Sequence, residues 1–257
     1  MRKYWVLSIV ILLAAKGGYA HEPLYGLGPE TLPKHMNAIE FGTTLMQGIT
    51  GWDLGYGYGI TQNWTVRADI PTLVKGNSFG LGNVRLRTKY ALWRKTQPGV
   101  LKRLTAIAVV SFPTADKSLG LAPNLTATTL GLANGYESRR WYYFSDVGYT
   151  YLSSASGLQP GGKFKYNLVG GIRPVKTDYL KPDLVLLIEL NGELSGKSRI
   201  NNSELPQTGG NTLSVAPGFL LSYRNIMLKG GIQLGIANTK NVAKPAANGL
   251  VSLEYHF

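Results

Sequence analysis

Three basic residues stand at alternate positions in the stretch NVRLRTKYALWR: Arg85, Arg87 and Lys89. On a β-strand, residues two apart share a face, so these cations would form one column with a spacing of about 7 Å. Such a column repels itself unless carboxylates or passing anions neutralise it. Asp69, on the preceding predicted strand, is the first expected partner. The chemistry that this pattern offers is therefore ion pairing or anion attraction.

The same alternation assigns more charged residues to the face opposite the apolar one. The basic candidates are Arg67, Arg85, Arg87, Lys89, Lys163, Lys165, Arg173 and Lys229. The acidic candidates are Glu40, Asp53, Asp69, Asp146, Glu189, Glu193 and Glu254. Two interpretations stay open. The charges could form a salt-bridged packing network, or they could line a polar path for solutes in which basic residues favour anions.

Residues for catalysis or metal binding are few. There is no cysteine, and the three histidines are His21, His35 and His256. No H-x-x-x-H pair occurs. As a chain terminus, His21 could chelate copper through its amine and imidazole, but we expect a solvated end residue. We predict no catalytic residue, no metal site and no cofactor.

The elements that carry these residues are predicted strands. The period is two almost throughout, and the runs are long enough to cross a bilayer when tilted, which takes about ten residues. The run at 124–137 is the weakest. The twelve predicted spans are 36–48, 51–61, 63–72, 81–93, 103–114, 124–137, 141–153, 163–174, 183–196, 211–223, 225–237 and 248–257.

The connections alternate between tight turns and longer polar loops, with one tight first hairpin expected around 49–51. Short turns on one side and long loops on the other are typical of bacterial outer-membrane barrels, in which the turns are periplasmic. The sequence therefore predicts an all-β fold, a transmembrane antiparallel β-barrel of about twelve strands in an up-and-down meander. Both ends of the mature chain would be periplasmic. A secreted β-sandwich is the alternative.

The two chain ends support this prediction. Residues 1–20 have a basic start, a short apolar run and small residues before Ala20, as a signal peptide does. The last strand ends on Phe257 and would close the barrel against the first, because an open edge in lipid leaves backbone groups unsatisfied. A terminal aromatic also resembles the signal that the barrel assembly machinery reads. We predict that Phe257 serves assembly.

Between the signal peptide and the barrel (36–257) lies an N-terminal periplasmic segment, 21–35, with three prolines and no strand period. It could lie under the barrel or enter it as a plug.

Composition and charge indicate the partners. Charged residues are only 16% of the chain, and the net charge is +13. Many basic residues fall in or beside predicted short links, where they suit anionic lipid headgroups better than a nucleic-acid groove, so we expect outer-membrane lipids and no nucleic acid. They include Arg94, Lys95, Lys102, Arg103, Arg139, Arg140, Lys176, Lys181 and Arg224, opposed by Asp178 and Asp183.

A barrel of twelve strands is intermediate in width between a small barrel filled by its own side chains and a wide channel. We therefore predict a narrow channel or transporter for a small-molecule solute, in which interior glycines leave space. A sealed structural or adhesive barrel is the rival, and the absence of a nucleophile constellation disfavours an enzyme. The pore-lining candidates are Arg67, Asp69, Arg85, Arg87, Lys89, Lys163, Lys165, Arg173, Glu189, Glu193 and Lys229.

The stretch GITQNWTVRADIPTLVKGNSFGLGNVRLRTKYALWR, residues 59–94, resembles the MetA-pathway of phenol degradation family of outer-membrane transporters. The family's GLGD step reads GLGN here, with Lys89-Tyr90 kept, and VVSFPTADKSLGLAP (109–123) is similar to the loop in which PTG is common. The resemblance implies a barrel and transport of a small molecule. Aromatic compounds, metal-related solutes and small anions all stay open as cargo.

Overall fold

A computed structural model of the chain describes residues 21–116, 120, 125–155, 157–175, 181–239 and 242–257. In this part of the chain, twelve long strands form a closed antiparallel ring. Four short strands, β4, β9, β12 and β13, lie outside it. The strands are β1 (Asn37–Met46), β2 (Ile49–Gly59), β3 (Trp64–Lys75), β4 (Ser78–Leu81), β5 (Arg85–Gln97), β6 (Val100–Ser111), β7 (Ala127–Ser138), β8 (Trp141–Leu152), β9 (Leu158–Gln159), β10 (Lys163–Ile172), β11 (Asp183–Ser195), β12 (Arg199–Ile200), β13 (Ser203–Glu204), β14 (Gly210–Tyr223), β15 (Ile226–Asn238) and β16 (Asn248–His256).

The ring closes where the last strand meets the first. β16 pairs with β1, and the register places Ala38 opposite His256. Beyond the ladder, the Phe257 N–H donates to the Asn37 carbonyl at 2.9 Å, and the Asn37 N–H donates to the Phe257 carbonyl at 2.8 Å. The predicted twelve-stranded transmembrane barrel is confirmed, and its closure leaves no open edge for lipid to meet.

The barrel has two unlike ends. The turn end carries the links 60–63, 98–99, 139–140, 173–182 and 224–225. The loop end carries 47–48, 76–84, 112–126, 153–162, 196–209 and 239–247. There, β9, β12 and β13 form a small antiparallel sheet of their own. No helix among the described residues is long and apolar enough to cross a bilayer.

Several predicted boundaries were wrong, three of them at the first hairpin and around β5. The first hairpin turns at Gln47–Gly48, with Gly48 at φ +72°, because Ile49 already pairs with Met46. β5 begins at Arg85 rather than at 81, since Leu81 belongs to β4. The β5–β6 link shrinks to residues 98–99 because both strands extend, and it leaves the basic residues predicted for this link within the ladder.

A β-bulge in β5 reverses which side chains face inward. The register against β6 shifts between Ala91 and Trp93. Before the bulge Lys89 is buried, and after it Trp93 is exposed. Arg94 consequently turns inward, where its guanidinium donates to Thr31 Oγ1 at 2.8 Å. An unbroken alternation through β5 would have placed Arg94 outside.

The outer face of the ring is apolar. Leucine, isoleucine and valine side chains are exposed along the strands, and aromatic side chains are exposed towards the strand ends. Such a belt suits lipid. Its members include Phe41, Leu54, Leu86, Leu132, Leu168, Ile188, Ile232, Val251, Trp64, Trp141, Tyr149 and Tyr151.

Some predictions lie outside the described residues. These are the signal peptide at 1–20 and the basic or acidic link residues Lys176 and Asp178.

Candidate functional site

Residues 21–35 run inside the barrel, and we call this segment the plug. His21 Nε2 lies 3.0 Å from Ser222 Oγ, near the turn end. The Tyr25 phenol donates to the Asn248 carbonyl at 2.8 Å, on the loop-end half of β16. The segment then returns, and the His35 N–H donates to the Gly59 carbonyl at the turn end at 2.7 Å. Of the two arrangements left open by the sequence, the structure has the re-entrant one.

Three prolines explain why the plug does not join the sheet. Pro23, Pro29 and Pro33 lack an N–H, and a segment that contains them cannot supply a continuous ladder. Among the described residues, no backbone-to-backbone hydrogen bond joins 21–32 to a barrel strand. The plug is instead held through side chains, which can release it without breaking the sheet.

Two interior carboxylates receive the plug's backbone N–H groups. Glu189, which is fully buried, accepts from the Leu24 N–H at 2.5 Å and from the Tyr25 N–H at 3.1 Å. Asp146 accepts from the Leu27 N–H at 3.1 Å. A buried N–H needs an acceptor, so these acids replace the strand partner that the plug lacks. Both were predicted to face the interior, without a named partner.

The plug also contributes two acidic residues to buried ion pairs. Glu22 contacts Lys89 on β5, and Glu30 contacts Arg103 on β6. Both basic side chains are at most 6% exposed. Because a buried charge with too few partners is costly, the plug stabilises both cations, although Arg103 also contacts Glu137 of the wall.

The charge of Glu22 is maintained by its surroundings. Burial by itself would raise the pKa of the Glu22 carboxyl. The neighbouring cations Lys89, Lys229 and Arg87 outweigh burial and hold this pKa below the ordinary value.

The plug also makes an apolar contact with the barrel interior. Leu24 packs into an interior cluster with Tyr142, Phe144, Val169, Val185, Leu187 and Leu220. Gly218 and Gly231 make room for it, because a Cβ on either glycine would lie 2.1 Å or 2.5 Å from Leu24 Cδ1. These two glycines therefore allow the plug to approach the barrel wall closely.

The cation column has three different partners. Arg85 NH2 lies 2.6 Å from Asp53 Oδ1, and Arg87 NH2 lies 3.6 Å from Asp69 Oδ2. Lys89 pairs with the plug. The predicted partner Asp69 thus serves one member of the column.

Asp69 also binds Arg67, whose Nε lies 2.6 Å from Asp69 Oδ1. Arg67 NH1 and Lys229 Nζ both bind Glu40, at 2.6 Å and 2.9 Å. This network joins β1, β3 and β15 beside the plug, so the middle of the lumen is filled with paired charges.

The turn end holds a cavity of about 600 Å³ lined by His21, Glu137, Tyr142, Arg173 and Asp183, among others. Arg173 binds Asp183, with Nε 2.5 Å from Oδ1. His21 is 3% exposed, so the expectation of a solvated end residue was wrong. Its Nδ1 lies 3.1 Å from Glu137 Oε2.

Ser222, His21 and Glu137 have the order of a nucleophile, a base and an acid. Ser222 is only 2% exposed and does not line the turn-end cavity. A substrate could not reach its hydroxyl in this arrangement, so the trio anchors the plug at its start.

The loop end holds a second polar cavity, of about 330 Å³, which we call the vestibule. Its lining is Tyr25, Lys165, Asn167, Asn191, Gly192, Glu193, Thr212, Ser214, Gln233 and Pro245. Between the plug and the wall, by contrast, the cavity beside Glu22 and Arg87 is only about 40 Å³. The plug therefore separates two larger spaces.

The predicted pore-lining residues lie at three levels. Arg67, Asp69, Arg87, Lys89, Glu189 and Lys229 surround the plug, while Arg173 lies at the turn end. Lys163, Lys165 and Glu193 lie at the loop end, and Arg85 pairs with Asp53 above the network.

The sequence placed Arg94, Arg103 and Asp183 in or beside short links, with Arg103 and Asp183 as the first residues of predicted strands, and it did not count any of the three among the interior charges. Arg94 and Arg103 belong to strands and contact the plug. Asp183 is buried at the start of β11. The alternation of the predicted strand 103–114 could have found Arg103, because it shares a face with the buried Thr105 and Ile107.

Comparison with known proteins finds likeness in structure alone. No family model matches the chain, and no curated protein matches its sequence. The COG4313 outer membrane channel from Pseudomonas putida F1 is similar with a TM-score of 0.69 and 13% identity, covering 91% of this chain and 100% of that one. The NanC porin is similar with a TM-score of 0.54 and 8% identity, covering 85% and 98%. At these identities the likeness shows a shared barrel fold.

Proposed function

We propose that this protein is an outer-membrane channel for small solutes that is closed by its plug and opens when the plug is displaced. The observation that carries the proposal is the pair of polar cavities, about 600 Å³ and 330 Å³, separated by a segment outside the sheet. Because side chains hold this segment, its release leaves the barrel ladder intact.

The apolar belt and the likeness in fold to an outer membrane channel and a porin support an outer-membrane location. In this proposal the turn end faces the periplasm, as short turns do in such barrels. Outer-membrane lipids then cover the belt, and the assembly machinery reads Phe257.

A sealed structural barrel is the second candidate. The dense pairing of the central network favours it, since Glu40, Asp69 and Glu189 are buried and each has at least one bonded partner. The cargo is a further proposal. The exposed lysines Lys163 and Lys165 at the loop end favour anionic solutes, and the family resemblance suggests aromatic ones.

A disulfide lock can separate the two candidates. The native chain has no cysteine, so Leu24→Cys with Gly218→Cys would introduce one pair. The Leu24 methyl lies 2.1 Å from a Cβ built on Gly218, and a disulfide needs Cβ atoms about 3.8 Å apart. We expect the oxidised double variant to stay closed in planar bilayers under applied voltage, and the reduced form to conduct.

Each single cysteine variant is the control and should respond to neither oxidant nor reductant. Conduction by the oxidised, fully cross-linked variant would show that the plug is not the barrier. If native and reduced proteins never conduct, the barrel is sealed and the channel proposal is wrong.

A further inference from the structure

We propose that the vestibule binds a small carboxylate that carries hydroxyl groups. The inference rests on the proposed channel function and names the class of solute that the channel admits. Four features of the vestibule carry it: a row of amides, an unequal set of charges, an aromatic floor and the available volume.

The amide row runs across three strands. Asn167 Nδ2 donates to Asp146 Oδ1 at 2.5 Å, Asn191 Nδ2 donates to Asn167 Oδ1 at 2.9 Å, and Gln233 Nε2 donates to Asn191 Oδ1 at 2.8 Å. All the donors point in one direction, towards the buried Asp146. The row is therefore fixed in orientation.

The far end of the row presents neutral polar groups to the cavity. Gln233 lines it, as do the hydroxyl side chains Thr212 and Ser214. Amides and hydroxyls both donate and accept hydrogen bonds, as the hydroxyl groups of a solute do. This wall suits an uncharged, hydroxylated part of a molecule.

The adjoining part of the wall, at the loop ends of β10 and β11, carries one more positive than negative charge. Lys163 and Lys165 share a single carboxylate, Glu193. Lys163 Nζ donates to Glu193 Oε1 at 2.8 Å, whereas Lys165 Nζ lies 3.4 Å from Oε2 and is 53% exposed. Lys165 is thus the looser cation and lines the cavity. One carboxylate on the solute would complete the charge balance.

The plug supplies the floor. Tyr25 lines the vestibule, and its hydroxyl is engaged with the Gly231 and Asn248 carbonyls. The ring is left to contact the carbon skeleton of the solute. A cavity of about 330 Å³ is at the small end of ligand sites. Solute bound here touches the segment that closes the channel.

The test is titration calorimetry on the purified, detergent-solubilised barrel with D-gluconate, D-glucose and benzoate. We expect gluconate to bind about tenfold more tightly than glucose, because only gluconate meets Lys165 with a charge. Benzoate, which lacks hydroxyls, should also bind more weakly than gluconate. Lys165→Gln should lower the affinity for gluconate to that for glucose, and Gln233→Leu should weaken the binding of both hydroxylated solutes.

Lys102→Gln is the matched control. Lys102 is exposed at the turn end, where Nζ lies 5.4 Å from the Tyr136 ring centroid, and its loss should leave gluconate affinity unchanged. Heat-modifiable gel mobility checks that each variant is folded.

Three results would overturn the site: equal affinity for gluconate and glucose, equal affinity for gluconate and benzoate, or no difference between Lys165→Gln and Lys102→Gln. Calorimetry does not require conduction, so the two proposals fail separately. Gluconate binding without any conductance refutes the channel, whereas conductance without gluconate binding refutes the site.

Discussion

The two ends of the lumen use the same ion-pair chemistry with opposite burial. Towards the turn end, Arg103 is 3% exposed and Glu30 is 6% exposed. At the loop end, Lys163 is 40% exposed and Glu193 is 26% exposed. The barrel strands have the same alternation in both places. What differs is the plug, which covers one set of charges and supplies their partners while leaving the other set open to solute.

The largest effect should come from a matched pair of substitutions, Glu30→Gln and Glu193→Gln. Glu30→Gln leaves Arg103 buried with Glu137 alone, and breaking such a pair costs about 3 kcal/mol or more. Glu193→Gln breaks a partly exposed pair, worth about 1 kcal/mol or less. Urea unfolding of both variants in lipid vesicles measures the difference. Equal losses of unfolding free energy in the two variants would contradict the proposed difference in burial between the two ends of the lumen.

An intermediate effect should follow from pH. The pKa of Glu22 is lowered in the folded protein, so its stabilising charge is fully present above the ordinary pKa of 4.5 and is lost as pH falls through the lower folded value. Acid should therefore weaken the attachment of Glu22 to Lys89, Lys229 and Arg87. We expect more frequent channel opening at pH about 3 than at pH about 6 in planar bilayers.

Glu22→Gln is the control for this experiment. It should open often at both pH values, because the charge is already absent. A Glu22→Gln variant that keeps the native pH response would assign that response to another group.

The smallest effect should come from Arg85→Gln. Arg85 and Asp53 are each about one-third exposed, and an exposed pair contributes about 0–1 kcal/mol. Lys89→Gln should lower the stability of the fold by more, because Lys89 belongs to the same column but is buried against the plug. Thermal unfolding of the two variants ranks them, and a greater loss for Arg85→Gln would contradict the dependence on burial.

The period of two predicted the strands, the closed ring and the interior side of most charges. It predicted one ion-pair partner, Asp69 for the cation column, and none of the partners on the plug. Glu22 lies 67 residues from Lys89 in sequence, and a segment without a period carries no register by which to place it. The bulge between Ala91 and Trp93 has no sequence signal of its own, so the inward turn of Arg94 was missed. Arg103 was the first residue of a predicted strand and was assigned to the lipid headgroups beside a short link, whereas β6 begins three residues earlier and holds its side chain inside.

Both ends of the plug lie at the turn end of the barrel. The plug therefore resembles a ligand that is covalently tethered to its binding site. Its last residue, His35, remains bonded to Gly59 beside the first strand. Rebinding is therefore intramolecular, with an effective concentration in the millimolar range for a short tether. A free peptide copied from residues 21–35 would need comparable concentrations to compete. The plug enters through the turn end and does not pass between two strands, so it can also bind inside the barrel after the ring has closed.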